Sequence, residues 1–336
     1  RPLRRIEVNA FEIRQQLIDD YATHVRSFIH IIAMKMYRRH PQFGDETAGP
    51  PYRKYMREVD MGNDRDLLTE DPSGLPVYEG RMVAQFDHGA KGYESGRGRA
   101  AVWHEFPFGD HGKAIQPQWY IQPDRIPEKL TGRIDRHRIG FCDVASPTNE
   151  RSLVPALIPP RCVCGDKVPT ITFEEGHEWG YLLWLAVANS FVMDFLARKK
   201  VSLKMSYTLM DSLPFPRPNN EDAMSATLVG LVLRLSCAGP EMRGFWNVMA
   251  HQGWVPRLAD GADPPAFLDE DSRCLAQAQV NAIVAREVYG LTRSELEHVL
   301  DTFPIVRRRD EQRYGEYRTK RLILEIYDAM AEAART

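Results

Sequence analysis

The sequence lacks the short motifs that mark the commonest enzyme sites. It contains no GxGxxG after a strand, no GxxxxGK followed by Ser or Thr, no GxSxG and no HExxH. These motifs form dinucleotide sites, phosphate-binding loops, nucleophile elbows and zinc peptidase sites. The corresponding enzyme classes therefore have no support in the residues.

Cysteine is scarce, with five in 336 residues. An odd number without regular spacing excludes a disulfide framework and indicates reduced thiols in a cytoplasmic protein. Cys162 and Cys164 could be half of a zinc site completed by His177 or Cys142. Because a lone CxC lacks the second ligand pair of most zinc sites, we favour buried thiols and predict no metal.

Long hydrophobic runs are also missing. The longest, Tyr181 to Phe195, is interrupted by Asn189, Ser190 and Asp194. It is too short and too polar for a membrane span, so no membrane association is predicted. The N-terminal arginines precede no continuous apolar segment, unlike those of a signal peptide. The chain begins without methionine, which suggests that it is part of a longer polypeptide.

Charge of one sign is not in excess, since the formal net charge is -2. A near-neutral total can still hide a basic face, so the positions of the charges decide any electrostatic argument. The hydrophobic, aromatic and charged fractions are 43%, 10% and 27%. These values are typical of a globular protein and exclude a disordered or fibrous chain.

The sequence predicts three parts. Residues 1–74 form a helical and loop-rich connector, with one helix or two short helices over 10–39 and a short one near Lys54 to Val59. Residues 75–218 form an α/β domain of short strands separated by turns, the first of which covers 75–88. Residues 219–336 form a helical domain.

The stretch from Glu178 to Lys200 predicts one long helix. Its apolar residues nearly encircle it, which is typical of a buried helix. In the C-terminal part, Thr292 and Glu295 have the spacing of a capping box. The predicted fold class is therefore α/β (α+β): a mixed twisted sheet packed on a long buried helix, followed by a mainly helical C-terminal domain.

Cationic and amide side chains recur near predicted strand ends and turns, beside aromatic residues. Arginine and amide groups suit base edges in the major groove, and lysines suit phosphates. Solvated loops would produce similar clusters, so the residues alone leave both interpretations open. The predicted DNA-binding set is Arg81, Gln85, His88, Lys91, Arg97, Arg99, Arg138, Asn149, Arg151, Lys199, Lys200, Lys204 and Tyr207.

Three segments carry a family resemblance: LPVYEGRMVAQFDH (75–88), RIGFCDVASPTNERSLVPALIP (138–159) and LLWLAVANSFVMDFLARKKVSLKMSYTLMDSLPFP (182–216). They resemble the target-recognition region of adenine-N6 DNA methyltransferases of the fused restriction-modification type. The third is also similar to the helix-then-LPxP passage of type I specificity subunits. The segment 303–328 resembles the tail that follows this region in large phage-defence methyltransferases.

The resemblance implies a module that selects duplex DNA while another domain transfers the methyl group. Asn149, Glu150 and Arg151 match the family's T-N-x-R turn. Asn189 and Ser190 match its N-S helix step, for which we favour a structural role over base contact. A methyltransferase domain in cis or trans is the implied partner, and a helicase or nuclease is a further possible one.

The family's catalytic tetrapeptide, Asn/Asp-Pro-Pro-Tyr/Phe, holds the flipped adenine. The similar string here, Gly49-Pro50-Pro51-Tyr52, begins with glycine, which has no side-chain acceptor. We therefore expect no catalytic residue and no cofactor in this chain, and S-adenosylmethionine in the parent methyltransferase domain.

Two alternatives from other classes remain open. The helical C-terminal third could make the chain a protein-interaction scaffold that docks a helicase or nuclease in a defence complex. His104 precedes Glu105 and His111 follows Asp110, so a hydrolytic site at one of these histidines is a weaker possibility. The placement of the basic residues, on one face or on unrelated faces, distinguishes DNA binding from the scaffold.

Overall fold

The computed structural model describes residues 28–110, 113–217 and 223–335, without the side chain of Arg99. The structure confirms the predicted α/β class with a helical C-terminal region. The first described helix, α1, covers 28–39. The rest of the helix predicted over 10–39 lies outside the described residues.

The described strands are short and form two sheets and a hairpin. The strands are β1 (Lys54–Met56), β2 (Leu68–Thr69), β3 (Leu75–Tyr78), β4 (Lys91–Ser95), β5 (Val102–Glu105), β6 (Trp119–Ile121), β7 (Arg138–Phe141), β8 (Pro155–Ile158), β9 (Val163–Cys164) and β10 (Thr170–Thr172). One sheet has the order β1-β10-β7-β8, the other β2-β6-β3-β9, and β4 pairs with β5. All these strand pairs are antiparallel except β3 with β9.

Several predictions about local structure are wrong. The segment near Lys54 to Val59, predicted as a helix, contains β1. The strand predicted over 75–88 ends at Tyr78 and is followed by a 3₁₀ turn at Gly80–Met82. Phe86 then adopts a φ of 60° within a tight turn at Ala84–Asp87. Because of this turn, Phe86 packs in a different hydrophobic cluster from Met82 and Val83.

The predicted central helix is two helices, α2 (Trp179–Ala188) and α3 (Phe191–Arg198), bent by 64°. Every residue of α2 is buried, as its all-round apolar pattern predicts. The break follows from Ser190, whose side chain accepts a hydrogen bond from the Met193 amide and caps α3. Asn189 donates to the Pro155 carbonyl at 3.2 Å, so both residues have the structural role favoured above.

The remaining helices are α4 (Tyr207–Asp211), α5 (Ala223–Ser236), α6 (Arg243–His251), α7 (Glu270–Ile283, continued by a π turn), α8 (Arg293–Asp301), α9 (Pro304–Tyr314) and α10 (Arg318–Ala333). The C-terminal helices pack against α2 and α3, mainly through α5 on α2 and α8 on α3. The capping box at Thr292 and Glu295 is confirmed, with both reciprocal hydrogen bonds present.

The main hydrophobic core runs from Ile32 in α1 to Tyr327 in α10. It therefore includes strands, α2 and the C-terminal helices in one cluster, with α2 packed on both β8 and α5. Two smaller cores lie among the strands, around Tyr78 and around Val77. Within the described ranges, no single helix is long and apolar enough to cross a membrane; the bent α2–α3 pair passes that test only when the two are joined.

Candidate nucleic-acid interface

A groove with a volume of about 920 Å³ separates the strand-rich part from the C-terminal helices. One wall consists of the turns at 84–91 and 149–154 with the α2–α3 break at Asn189. The other wall consists of α7, α9 and α10. We call this feature the charged groove, because cationic and acidic side chains from both walls line it.

Four predicted DNA-binding residues meet in the charged groove although they are far apart in the sequence: Gln85, Lys91, Asn149 and Arg151. The Asn149 side chain is exposed, and its backbone carbonyl accepts a hydrogen bond from Arg198 at 3.1 Å. Lys91 pairs with Glu105 at 2.7 Å. The structure therefore brings these side chains to one surface and fixes the backbone beneath Asn149.

Arg151 is a supporting residue of that wall. Its Nε donates to Asp194 at 2.6 Å, and its Nη2 donates to the Asn189 carbonyl at 2.8 Å. The guanidinium also lies 4.1 Å from the centre of the Phe191 ring. Only 9% of the side chain is exposed, so Arg151 shapes the groove more than it offers a free cation.

Asp194 on α3 fixes the turn that carries Asn149 and Arg151. Its carboxylate is fully buried and accepts hydrogen bonds from the backbone amides of Ser152 at 2.9 Å and Leu153 at 3.3 Å, besides the bond from Arg151. Arg198 lies 3.7 Å away on the next turn of the helix. The buried charge is thus matched by cations and by N–H donors, which makes the turn rigid.

The opposite wall supplies arginines that the sequence analysis did not assign. Arg309 and Arg313 on α9 and Arg318 on α10 line the groove. Arg309 pairs with Glu150 across the groove, and Arg313 pairs with Glu270 on α7. The run of three arginines at 307–309 was a visible signal, but only the helical spacing of 309 and 313 directs both toward the groove.

Two residues predicted to contact DNA are buried, so the prediction is wrong for them. Arg138 is 0% exposed, and it donates to Glu58 at 2.6 Å and 2.9 Å in the interior. His88 is 5% exposed and lies between the Tyr78 hydroxyl, at 2.8 Å, and Glu241, at 3.2 Å. Neither side chain can reach a base edge, because each is held inside the protein by its own partners.

The other predicted contacts lie outside the charged groove. Arg81 stacks on Trp103 at 5.2 Å, and Arg97 pairs with Glu70. Tyr207 stacks on Tyr55 with ring centres 4.2 Å apart. The remaining members are exposed lysines of the segment after α3, namely Lys199, Lys200 and Lys204. The side chain of Arg99 lies outside the described residues.

The cysteine pair and His104, one of the two candidate catalytic histidines, take part in other contacts. Cys162 and Cys164 are buried, and each sulfur lies 3.8 Å from Nη2 of Arg138. Among the residues that the structure describes, no group of three His, Cys, Asp or Glu side chains could hold a metal ion. His104 packs edge-on against Phe106 at 4.4 Å, and His111 lies outside the described ranges.

The burial of His137 makes the free energy of unfolding depend on pH. Its ring packs 5.1 Å from Phe245, and burial lowers the pKa of His137 to about 4. The unfolded chain binds the proton near the ordinary pKa of about 6.5, so stability is lost as the pH falls from there toward 4. Between pH 7 and pH 4.5 we expect His137 to account for a loss of about 2–3 kcal/mol.

Urea denaturation at the two pH values measures this loss. In the variant His137→Gln the acid-induced loss should be smaller than in the wild type by that amount. The exposed His251 on α6 provides the matched control His251→Gln. Equal acid sensitivity of the wild type and His137→Gln would contradict the assignment.

Comparison with known proteins gives little similarity. No protein-family model and no curated protein matches the sequence. Among solved structures, the HsdS subunit from Thermoanaerobacter tengcongensis matches with 11% identity and a TM-score of 0.27, over 83% of this chain and 55% of that one. The chain thus spans about half the length of that protein. So low a TM-score does not establish a shared fold.

Proposed function

We propose that this chain is the sequence-specific duplex DNA recognition module of an S-adenosylmethionine-dependent adenine-N6 DNA methyltransferase in a restriction-modification or phage-defence system. The observation that carries the proposal is the charged groove. It collects Gln85, Lys91 and Asn149 from separate segments and places the arginines of α9 opposite them. Amides on one wall and arginines on the other suit base edges and phosphates, respectively.

Asn149 is the side chain best suited to read a base. It is exposed, it lines the groove, and the turn beneath it is fixed by Arg198 and by the buried Asp194. An asparagine amide can bond both N6 and N7 of adenine in the major groove. Gln85 is less free, since its amide donates to the Asn189 carbonyl at 3.2 Å and its oxygen accepts from Arg151 at 3.2 Å.

Methyl transfer belongs to a partner in this proposal. Gly49 offers no side-chain acceptor, and the backbone amide of Tyr52 donates to the Glu174 carboxylate at 2.8 Å. These residues do not fit the catalytic tetrapeptide, so no step of the reaction is assigned to this chain. S-adenosylmethionine would be held by a methyltransferase domain in cis or trans, and a helicase or nuclease would be an additional partner.

Fluorescence anisotropy with pools of duplex DNA, at salt concentrations from about 50 to 200 mM, tests the proposal. We expect the affinity to fall steeply with salt, because phosphate binding releases counterions. Arg309→Ala and Arg313→Ala should each weaken binding to all sequences and reduce the salt slope by about one. Asn149→Ala should instead relax the selection of one base pair, by about 1–3 kcal/mol.

Arg321→Ala is the matched control. Arg321 is a half-exposed arginine of α10 that pairs with Glu316 and Glu325 but does not line the groove. Its removal should leave binding unchanged. Binding without salt dependence, or an equal effect of Arg321→Ala and Arg309→Ala, would contradict DNA binding in the groove.

The scaffold function remains the second candidate, and a specific observation favours it. Leu203 is 76% exposed and Val144 is 55% exposed, and a β-bridge between Val144 and Lys204 brings the two loops together. Two exposed apolar residues on loops joined by a backbone bridge are accessible to a protein partner. Arg138, in contrast, is in the core and Arg151 in the groove wall, so the basic residues do not form one continuous face.

A further inference from the structure

The cations of the charged groove are already paired. Among the described residues, five cationic side chains line the groove, and each has a carboxylate partner. A DNA phosphate that enters the groove therefore competes with carboxylates of the protein for its contacts. The pairs are Lys91 with Glu105, Arg151 with Asp194, Arg309 with Glu150, Arg313 with Glu270 and Arg318 with Asp271.

The pair of Arg309 and Glu150 differs from the other four, because it joins the two walls of the groove. Glu150 belongs to the turn between Asn149 and Arg151, and Arg309 belongs to α9 on the opposite wall. Each of the other four pairs links residues on the same side of the groove. We call the ion pair of Arg309 and Glu150 the latch.

The segments that carry the latch are fixed. The backbone carbonyl of Glu150 accepts a hydrogen bond from Arg198 at 3.0 Å. Next to Arg309, Asp310 is 3% exposed and accepts from the Thr319 amide at 2.7 Å, which ties α9 to the start of α10. The packing of these elements therefore places the two ends of the latch opposite each other.

The latch is weak enough for DNA to open it. The side chains of Arg309 and Glu150 are 57% and 39% exposed, and ion pairs of such exposure change an equilibrium constant by at most about fivefold. A phosphate can therefore take the place of Glu150 on Arg309. The freed carboxylate then stays in the groove near the DNA, where like charges repel.

We propose that Glu150 is an autoinhibitory residue, whose carboxylate holds Arg309 in the latch and occupies the position of a DNA phosphate until duplex DNA replaces it. This inference rests on the function proposed above. Opening the latch costs the same on every sequence, so it weakens binding to non-target DNA, whose affinity comes almost entirely from phosphate contacts. A target sequence adds base contacts that offset this cost.

Fluorescence anisotropy with duplex pools at about 100 mM salt tests the inference. Glu150→Gln keeps the size of the side chain and removes its charge. It should tighten binding to every duplex by about fivefold, because Arg309 is then free before DNA arrives and no carboxylate faces the phosphates. If the pair instead positioned Arg309 for a phosphate, the same variant would bind more weakly.

Glu311→Gln is the matched control. Glu311 pairs with Arg307 on α9 at 2.7 Å, with exposures of 44% and 58%, and neither residue lines the groove. The variant changes the net charge by the same amount as Glu150→Gln. Because salt screens charges over about 10 Å at 0.1 M, Glu311→Gln should change the affinity by less than about twofold.

A double-variant cycle separates the latch from simple repulsion between Glu150 and DNA. Arg309→Ala should weaken binding about threefold more in the Glu150→Gln background than in the wild type, since only there is the guanidinium free beforehand. An equal cost in both backgrounds would show that Glu150 repels DNA without holding Arg309. Because both side chains of the latch are partly exposed, the variants should keep the urea midpoint of the wild type.

Failure of the latch and failure of the proposed function give different results. If the wild type binds DNA with the expected salt dependence but Glu150→Gln binds equally well or more weakly, the latch is wrong and DNA binding in the groove stands. If neither protein binds duplex DNA at any of the salt concentrations, the proposed function is wrong and the latch falls with it.

Discussion

Replacing Glu58 with alanine should reduce the free energy of unfolding by about 3–5 kcal/mol. Glu58 and Arg138 are both 0% exposed and form a two-point ion pair. The Glu58 carboxylate also accepts from the Cys164 amide at 2.8 Å and from the Thr170 hydroxyl at 3.0 Å. Its removal leaves a buried guanidinium and two other donors without their acceptor, which is the most costly way to alter a core. Urea denaturation at neutral pH measures the loss.

Two further variants separate the buried charge from simple loss of contacts. In the double variant Glu58→Met, Arg138→Met both charges are absent, and stability should return to within about 2 kcal/mol of the wild type, because apolar replacements of buried pairs are often tolerated. Glu70→Ala removes the exposed partner of Arg97 and should cost less than about 1 kcal/mol. A double variant as unstable as Glu58→Ala would show that the uncompensated charge is not the cause.

Replacing Asp194 with alanine should also cost about 3–5 kcal/mol, and it should disturb the charged groove. The variant leaves Arg151 without its buried partner and the amides of Ser152 and Leu153 without their acceptor. The turn that carries Asn149 should therefore become mobile. Hydrogen exchange of the Ser152 and Leu153 amides should accelerate much more than that of amides in α10, and urea denaturation should show the loss of stability.

Asp328→Ala is the control for that variant. Asp328 is 44% exposed and pairs with Arg293 at 3.0 Å on the surface, so its removal should cost less than about 1 kcal/mol. If Asp194→Ala lowered stability while the exchange of Ser152 and Leu153 stayed at the wild-type rate, the role of Asp194 in fixing the turn would be wrong. If the amides exchanged faster but DNA selection stayed unchanged, Asn149 would not be the base-reading residue.

Asp194 also explains why the sequence placed the site only approximately. Asn149 and Arg151 were singled out as members of a polar turn, yet nothing in their own segment indicates that a carboxylate from a later helix fixes them. The sequence around Arg138 likewise does not reveal the partner of that residue. An arginine after a turn looks like a surface contact until the structure shows Glu58 opposite it in the core.

Local signals determined several features without help from the tertiary structure. The spacing of Thr292 and Glu295 predicted a capping box, because both partners lie within one turn of helix. The apolar residues all round α2 predicted its burial, because no face of that helix could be solvated. The α/β class followed in the same way from alternating strands before position 178 and helical spacing after 218.

Only the tertiary structure decided which side chains are free and which meet. It divided the long apolar segment at Ser190, since a capping serine competes with helix continuation in a manner that apolar spacing does not reveal. It also brought the turn of Asn149 to face the arginines of α9, 160 positions later for Arg309. Such contacts depend on how separate elements pack, and the residue pattern within each element does not contain that information.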